Sequence, residues 1–501
     1  MRASSNTRKI VYGLLIVAIF GALFPYSNWL NDEKRKKDLG EAAIGQVDTG
    51  GFMLNLMLLG GARGMAANWL WSRAEELKRE QDWDQMKSTV DLITKLQPHF
   101  LSVWTFQGWN LAYNVSVEWD APEDKYDWIK QGIVFLEEGV SKNRRSPDLL
   151  WDTAWTYYHK LGFADEAVIL RRLFYDDPDE AFKTYVEPDT NNRVTSGDSF
   201  LVGYGWFTRS VALADQSGTE RIAVGTEENL DYVDPVPQRK GRPGDLAFRA
   251  MPAHARTRYA AGLEKMSILD IPATFGEKAK IAWNKALAEW VKFGTFKYLS
   301  HNEIERDGKL VRDVVQIDDE TNPAVYNKLN ENQKYWASRW GDQMNYRYWK
   351  DRCLAEMTDD GVEARRLFYE GTIAYKTSDF GTAVAKYKQG LDLWKILLDR
   401  HKQYRDDDLN KKDTGLIVKR YLRAIRQNGQ PEPADIPFRA LAAAAEIDNT
   451  VDPFDAVEMG IARETSGGGS PGTAKPSARP ANNPAAPRTA PGSAPAVPSV
   501  R

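Results

Sequence analysis

Side chains that form disulfides and metal sites are scarce in this sequence. Its 501 residues include one cysteine, Cys353, which excludes an internal disulfide framework and any CxxC pair for zinc or redox chemistry. The five histidines are far apart, at His99, His159, His254, His301 and His401. They form no HExxH motif and no pair at helical spacing, so the sequence indicates no local metal or haem site. We therefore predict neither a metal nor a cofactor.

Sequence motifs of catalysis and nucleotide binding are also missing. The GxGxxG, GxxxxGK[ST] and GxSxG motifs do not occur at any predicted strand-to-helix turn. The acidic runs Asp318-Asp319 and Asp406-Asp407-Asp408 lack the glycine and closing glutamate of a calcium loop. The net charge is −3, and no basic stripe is interleaved with aromatics, so nucleic acid is not an expected partner. The sequence predicts no catalytic residue, although two of its 70 acidic residues could still meet in a cleft.

Long hydrophobic runs are rare, and the main one occupies residues 10–30. Its stretch Ile10–Phe24 carries no charge, and Tyr26 and Trp29 follow at the position of an interfacial aromatic belt. A membrane-spanning helix needs ~20 residues, so we predict a transmembrane anchor here, preceded by a cytoplasmic segment, 1–9. A cleaved signal peptide is the alternative, but no small-x-small cleavage site follows the run. A buried soluble helix is the third possibility, and the charged flanks argue against it.

The orientation of this anchor is weakly encoded. Arg2, Arg8 and Lys9 precede the run, and the basic residues Lys34–Lys37 follow it, so the positive-inside rule is nearly balanced. The first span usually sets the topology, and residues 1–9 contain no acid. We therefore predict a single-pass inner-membrane protein with most of the chain on the periplasmic side.

Residues 31–65 are predicted to contain a linker and then a capping or interfacial helix. The apolar stretch 51–71 is interrupted by Gly60, Gly61 and Gly64, and Asn55 and Arg63 would be costly inside a bilayer. A second membrane crossing is therefore disfavoured. We favour a helix that covers the end of a repeat array, with a helix lying in the membrane interface as the alternative.

Residues 66–183 repeat a pattern of small and large apolar positions. The first copy has Leu70, Ala74, Leu77, Met86, Val90 and Ile93, and ends at Pro98. Further copies are marked by Trp104, Gly108 and Leu111, and by Trp151, Trp155, Tyr158, Ala167, Phe174 and Pro178. Arg171 replaces an expected apolar residue in the last of these copies. Because small residues let helices approach while large ones fill the gaps, the pattern predicts antiparallel helical hairpins.

The middle of the chain is less regular. Residues 184–246 are rich in turn formers around one apolar island, Phe200–Phe207, and are predicted to be an irregular insertion that either carries function or braces the fold. Residues 247–360 are predicted to be helical, with helices over Ala253–Met266 and Phe275–Leu299. A short strand pair is expected around Asp307-Gly308. A helix starting at Asn322-Pro323 carries many aromatics, which we assign to packing.

The last third contains the cleanest copy and a biased tail. Within 361–446, the residues Leu367, Gly371, Ala374, Ala383, Tyr387 and Gly390 repeat the hairpin spacing. A charged helix over Asp406–Gln427 is predicted to cap the array. Residues 447–501 become rich in Pro, Ala and Gly, and we predict that they are disordered because they cannot bury enough apolar surface to offset ordering.

These spacings resemble the tetratricopeptide repeat, a helical hairpin of ~34 residues. The N-terminal span and the WxRAEELK stretch (Trp71, Arg73–Lys78) also resemble uncharacterised bacterial membrane-anchored repeat proteins. The resemblance implies a mainly all-α fold, a solenoid of antiparallel helix hairpins. It also implies a concave groove, lined by first helices, that holds peptides or partner proteins. Its inward-facing positions in this chain are Glu75, Lys78, Trp109, Thr156, His159, Thr372 and Tyr375.

Three functions remain open from the sequence. The first is a membrane-anchored scaffold or adaptor at the cell envelope, with Trp109 as the leading aromatic anchor for a protein partner. The second is an envelope hydrolase whose cleft, with two carboxylates ~5–10 Å apart, is covered by the 184–246 insertion. The third is a structural envelope spacer with an outward-reaching tail. We favour the scaffold, with no catalysis, nucleic acid or metal.

Overall fold

The computed structural model describes residues 62–442, except 81, 165, 217–244, 266–270 and 307. These residues are mainly helical, which confirms the predicted class. The predictions for 1–9, for the anchor 10–30, for nearly all of 31–65 and for the tail 447–501 lie outside the described residues. Within the part that is described, no helix combines the length and the apolar character needed to cross a membrane.

The described chain divides into two compact units. The first contains the residues up to 273 together with 285–346, and the second contains 274–284 and the residues from 347 onward. Each unit has its own buried core, and the two are described separately below.

The first unit begins with a helical hairpin, α1 (Ala62–Glu80) and α2 (Trp83–Leu96). The Asp82 carboxylate caps α2 by accepting the backbone N–H of Gln85 at 3.1 Å. The residues predicted for the shared face of this hairpin are buried, namely Leu70, Ala74, Leu77, Met86, Val90 and Ile93. The apolar periodicity of the sequence therefore located this hairpin correctly.

A second pair follows, formed by α3 (Leu101–Trp109) and α4 (Pro122–Lys142). Helix α3 continues as a π-helix, Asn110–Val115, and a 3-10 turn, Ser116–Glu118. The two helices are antiparallel, because Gly139 lies against Trp104 while Gly132 lies against Gly108 and Ala112. A Cβ on Gly132 would stand 2.7 Å from the carbonyl oxygen of Gly108, so only glycine permits this approach. The predicted division between small and large residues is observed here.

The third pair differs from the prediction. Helix α5 (Pro147–Trp155) continues as a π-helix, Thr156–Leu161, and α6 (Ala167–Asp176) is only 10 residues long. The antiparallel partner of α5 is α7 (Ser199–Gln216), because the Ser210 hydroxyl donates to the Pro147 carbonyl at 2.5 Å. Near the other end of α5, Gly203 brings the α7 backbone close to the Ala154 carbonyl. A helix from the predicted insertion therefore completes the hairpin predicted over 151–178.

Residues 184–216 are regular, which corrects the prediction of an irregular 184–246 for its first part. Strands β1 (Thr184–Glu187) and β2 (Asn192–Thr195) form an antiparallel hairpin with Thr184 opposite Thr195. Alternate residues of β1, Tyr185 and Glu187, are buried, and the apolar island becomes the buried face of α7. Four-residue strands carry too few alternating positions to stand out among turn formers.

The remainder of the first unit mixes helices with short strands. Helix α8 (Asp245–Gly262) contains Pro252 in its interior, so it begins eight residues before the predicted start at Ala253. Helix α9 (Glu277–Gly294) contributes its residues 285–294 to this unit. Strand β3 (Tyr298–Leu299) pairs with β6 (Val314–Val315), and β4 (Ile304–Arg306) pairs with β5 (Lys309–Val311). Gly308 in the β4–β5 turn has a φ of +74°, and the predicted strand pair is confirmed.

The aromatic-rich helix predicted from Asn322-Pro323 is three helices. They are α10 (Pro323–Tyr326), α11 (Glu331–Gln343) and α12 (Tyr346–Glu356), and a 3-10 turn, Ile317–Thr321, precedes them. The break before α11 follows from a capping box, in which Asn330 and Gln333 each accept the other's backbone N–H. Most of α12, from residue 347, belongs to the second unit, and its Cys353 is fully buried.

The second unit is built on α13 (Asp359–Lys376) and α14 (Phe380–Arg400). Gly371 packs on Tyr387 and Gly390 on Phe368, so these helices are antiparallel and reproduce the hairpin predicted over 367–390. Helices α15 (Lys402–Asp406) and α16 (Asp408–Gln427) follow. The predicted capping helix is α16, and it buries one apolar face that includes Val418, Leu422 and Ile425.

Each unit contains a buried ion pair. In the first, Arg256 of α8 donates to Glu187 of β1, whose other oxygen accepts the Tyr185 hydroxyl at 2.9 Å. In the second, Arg365 of α13 donates to Glu356 of α12, and the two side chains are 9% and 1% exposed. Separating the two partners would leave a buried charge without its counter-ion, which is unfavourable. Each pair therefore holds together two elements that are distant in sequence.

Candidate functional site

Five aromatic side chains of the first unit form a continuous stack on α3, α5 and their π-helical extensions. We call the stack the aromatic row. Neighbouring ring centroids are 5.4 Å apart for Trp109–Tyr113, 5.8 Å for Tyr113–His159, 4.9 Å for His159–Trp155 and 5.3 Å for Trp155–Trp151. The planes of adjacent rings differ by 28° or less. The row therefore crosses from one helix to the next without a gap.

The row arises because two consecutive helices carry the same local pattern. Trp155 follows Trp109 by 46 residues, and His159 follows Tyr113 by the same number. In both helices the tryptophan closes the α-helical part, and its partner lies four residues on, within the π-helix. A π-turn adds a residue to the turn and is frequent at functional sites. The repeated π-segments place Tyr113 and His159 face to face.

Polar contacts hold the row together. The Tyr113 hydroxyl is hydrogen-bonded to Nδ1 of His159 at 3.1 Å. Burial raises the pKa of Tyr113, so its phenol stays protonated at physiological pH. Beside the row, the Thr105 hydroxyl donates to the Asp152 carboxylate at 3.0 Å. These bonds join α3 to α5 and keep the rings in one arrangement.

Cations lie on rings in and around the aromatic row. Lys78 Nζ of α1 is 4.9 Å from the centroid of Phe106, and Lys160 Nζ is 5.3 Å from that of Tyr113. Arg258 of α8 lies 4.6 Å from the ring of Phe163, which is 6.2 Å from His159. Burial lowers the pKa of Lys78 from its usual value. The surface that contains the row is therefore both aromatic and cationic.

The structure brings several predicted site residues to this surface. Trp109 ends the aromatic row with 37% of its surface exposed, and His159 lies in the middle of it. Lys78 and the exposed Glu75 lie on the adjacent α1. Tyr375 is half-buried against Phe380 in the second unit, away from these residues in the chain.

Two predicted site residues are buried, which corrects the expectation that they line a groove. Thr156 is 3% exposed, and its hydroxyl donates to the Asp152 carbonyl. Thr372 is 8% exposed and is bonded to the Phe368 carbonyl and the Tyr387 hydroxyl. Both hydroxyls are satisfied within the fold, so neither offers a group to a partner.

Three members of the row, Tyr113, Trp151 and Trp155, were not predicted as site residues. Trp151 and Trp155 were assigned to the repeat core by their spacing, but each is only partly buried. The signal that could have located the row is an aromatic residue followed four positions later by a second ring, at equivalent places in two helices.

Other kinds of site find little support in the described parts of the chain. Among those residues, no group of three or more His, Cys, Asp or Glu side chains could hold a metal ion. A pocket on α11 is lined by Tyr335, Ser338, Arg339, Asp342 and Gln343 and contains one carboxylate, so it does not provide the pair a glycosidase needs. Neither the comparison with protein-family models nor that with curated proteins finds a match.

A partly buried carboxyl, that of Glu137 on α4, lies against the π-helix that follows α5. The Tyr157 hydroxyl, in the π-helix after α5, is 2.9 Å from Oε1 of Glu137 and 2.8 Å from the Phe182 carbonyl. Both are acceptors when Glu137 is ionised, but the phenol has one proton and is fully buried. When Glu137 is protonated, its carboxyl donates to Tyr157 and Tyr157 donates to the Phe182 carbonyl. Burial raises the pKa of Glu137 to about 7, so at neutral pH the protonated form is populated alongside the ionised one.

We expect the Glu137→Gln substitution to remove a pH dependence of stability. The folded-state pKa of about 7 exceeds the usual 4.5, so the stabilising contribution is complete below pH 4.5 and is lost as the pH rises through 7. The free energy of unfolding of the variant minus that of the wild type should therefore rise by roughly 2–3 kcal/mol between about pH 5 and about pH 8. Urea unfolding of both proteins at the two pH values measures this gain. A stability difference that stays constant with pH would contradict it.

Proposed function

We propose that this protein is a membrane-anchored helical-repeat scaffold that binds a segment of a partner protein along the aromatic row. The observation that carries the proposal is the stack itself, which ends in the exposed Trp109 and is flanked by Lys78 and Arg258. Aromatic residues and arginine are the side chains that most often dominate protein interfaces. Packing of the hydrophobic core does not by itself explain five stacked rings that span two helices at a partly exposed surface.

The rings are suited to binding because they are already ordered. Each side chain in the row is held by its neighbours, so a partner does not have to immobilise it. Trp109 would supply the apolar anchor, while Glu75 and Lys78 on α1 would select the partner's polar groups. No step of this function involves bond breaking, and the proposal includes no catalysis and no cofactor.

The remaining parts of the proposal concern architecture and location. The helical hairpins with closely packed glycines support repeats of the tetratricopeptide type. The apolar sequence of residues 10–30 supports a single membrane anchor, with the bulk of the chain on the periplasmic side. The scaffold would then present its partner-binding surface at the cell envelope.

The proposal is tested by placing a photoreactive aromatic residue at position 109 in the native membrane and identifying the crosslinked segment by mass spectrometry. The affinity of that segment is then measured for the wild type and for Trp109→Ala. We expect a loss of roughly thirtyfold or more, because a central aromatic anchor contributes about 2 kcal/mol or more to binding. Helical circular dichroism should remain unchanged.

Trp119→Ala is the matched control. Trp119 is 41% exposed and lies against one other ring, that of Trp128, at 6.3 Å, but it is not part of the aromatic row. Its removal should leave the affinity within about twofold of the wild type. Equal losses in the two variants, or no crosslink at position 109 beyond that at 119, would refute partner binding at the row.

A further inference from the structure

The two ends of the first helices carry opposite charge. One end of the antiparallel array is formed by the C-termini of α2 and α4, the N-termini of α3 and α5, and the loops that connect them. Asn143 joins these loops by donating to the Pro98 carbonyl at 2.8 Å and bonding to His99 at 3.1 Å. We call it the basic end, because it exposes Lys95, Lys142, Arg144 and Arg145. Three acids lie within a turn of these cations, namely Asp148 in the first turn of α5, Glu138 four residues before Lys142 and Asp91 four residues before Lys95.

The opposite end of the same helices is acidic. There α1 ends and α2 begins, and the 3-10 turn after α3 leads into α4. This end carries Glu80, Asp82, Glu118, Asp120, Glu123 and Asp124, and its cations are Lys78, Arg79 and Lys125. Lys125 is already paired with Glu166 at 2.9 Å. The array therefore has a charge asymmetry along the helix axes, which would orient it in the field of a charged surface.

Exposed apolar residues accompany the basic charges. Phe100, in the loop before α3, is 42% exposed, and Leu92 in the last turns of α2 is 44% exposed. Trp69 is 69% exposed on α1. Because α1 and α2 are joined by two residues, positions equally far from the turn lie side by side, so Trp69 is level with the last turn of α2. Aromatic rings next to lysine and arginine are the combination that inserts at a membrane–water interface.

The direction of the chain points to the same end. Helix α1 begins at Ala62 on the side of the basic end, and the sequence immediately before it contains the apolar stretch Phe52–Leu59. We propose that the basic end of the first unit lies against a bilayer surface that contains anionic lipids. Lys95, Lys142, Arg144 and Arg145 attract the headgroups, and Phe100 and Trp69 contact the interface. The acidic end then faces away from the membrane.

This contact is tested with the full chain reconstituted in phosphatidylcholine vesicles, with and without phosphatidylglycerol. A fluorophore is attached at Ser141→Cys on the basic end or at Ala121→Cys on the acidic end, and the buried Cys353 does not compete for the label. Quenching by acrylamide, which is uncharged, reports exposure to water. We expect quenching at position 141 to fall by about twofold or more when phosphatidylglycerol is present, and to recover at high salt. Position 121 should not change.

The triple variant Lys142→Gln, Arg144→Gln, Arg145→Gln should abolish the protection at position 141. A matched variant that neutralises three exposed cations elsewhere (Arg79→Gln, Arg193→Gln, Lys265→Gln) should retain it. Equal quenching at position 141 in both kinds of vesicle, or protection at position 121 instead, overturns the proposed orientation. Protection that survives the triple variant overturns the electrostatic mechanism. None of these outcomes depends on partner binding at the aromatic row.

Discussion

The Arg365→Met substitution should lower the free energy of unfolding of the second unit by roughly 3–5 kcal/mol. Arg365 donates to both oxygens of Glu356, to the Tyr404 hydroxyl at 3.0 Å and to Asp413 at 2.9 Å. Methionine fills a similar volume but supplies no charge. Glu356, which is 1% exposed, would then remain buried without its main cation, and this unpaired charge accounts for the cost.

Chemical denaturation followed by circular dichroism measures the loss, and the neighbouring arginine provides the control. Arg366 is on the same helix but pairs with Glu363 and Glu370 at the surface, and its side chain is 39% exposed. Arg366→Met should cost less than about 1 kcal/mol, because exposed ion pairs contribute little. If the two variants unfold at the same denaturant concentration, Arg365 does not hold α12, α13 and α16 together as described.

A loss of similar size, roughly 3–5 kcal/mol, is expected in the first unit for Arg256→Met. Arg256 is 4% exposed, it donates to Glu187, and its guanidinium lies 3.9 Å from the centroid of Tyr204. Without it, Glu187 would keep the Tyr185 hydroxyl and the more distant Lys285, whose ammonium is 3.7 Å away. The buried Glu187 carboxylate would therefore lack its main cation, and this accounts for the cost.

The control for this pair is a double substitution. Glu187→Met combined with Arg256→Met removes both charges and should be less destabilising than Arg256→Met alone, because no carboxylate is left unpaired. Lys285→Met, at a side chain that is 40% exposed, should cost little. A double variant that is less stable than Arg256→Met would show that the arginine acts through packing and not through its charge.

The hairpins could be predicted from the sequence because their evidence is local. In α1–α2 and in α13–α14, the positions that face each other belong to one stretch of about 30 residues, and helical periodicity places them on one face. Small residues such as Gly371 and Gly390 mark the closest approach. The partner of α5 could not be found in this way, since a β-hairpin and the short α6 separate α7 from it in the chain.

The candidate site was only partly predictable for a different reason. Trp109 and His159 followed from their positions in the repeat, but the prediction assumed uninterrupted α-helices. The π-segment Thr156–Leu161 adds a residue to the turn and changes which side chains share a face after it. The backbone hydrogen bonds of a π-turn join residues five apart, and those of an α-turn join residues four apart. No residue type marks this difference in a sequence. The stacking across two helices depends on that change.

The buried Cys353 has a practical consequence for studying the two units separately. As the sole thiol of the chain, it is inaccessible in the folded second unit, so an alkylating reagent can reach it only when that unit opens. The rate at which Cys353 is alkylated therefore reports how often the second unit opens. Arg365→Met should raise this rate. Arg256→Met should leave it unchanged if the two units unfold independently.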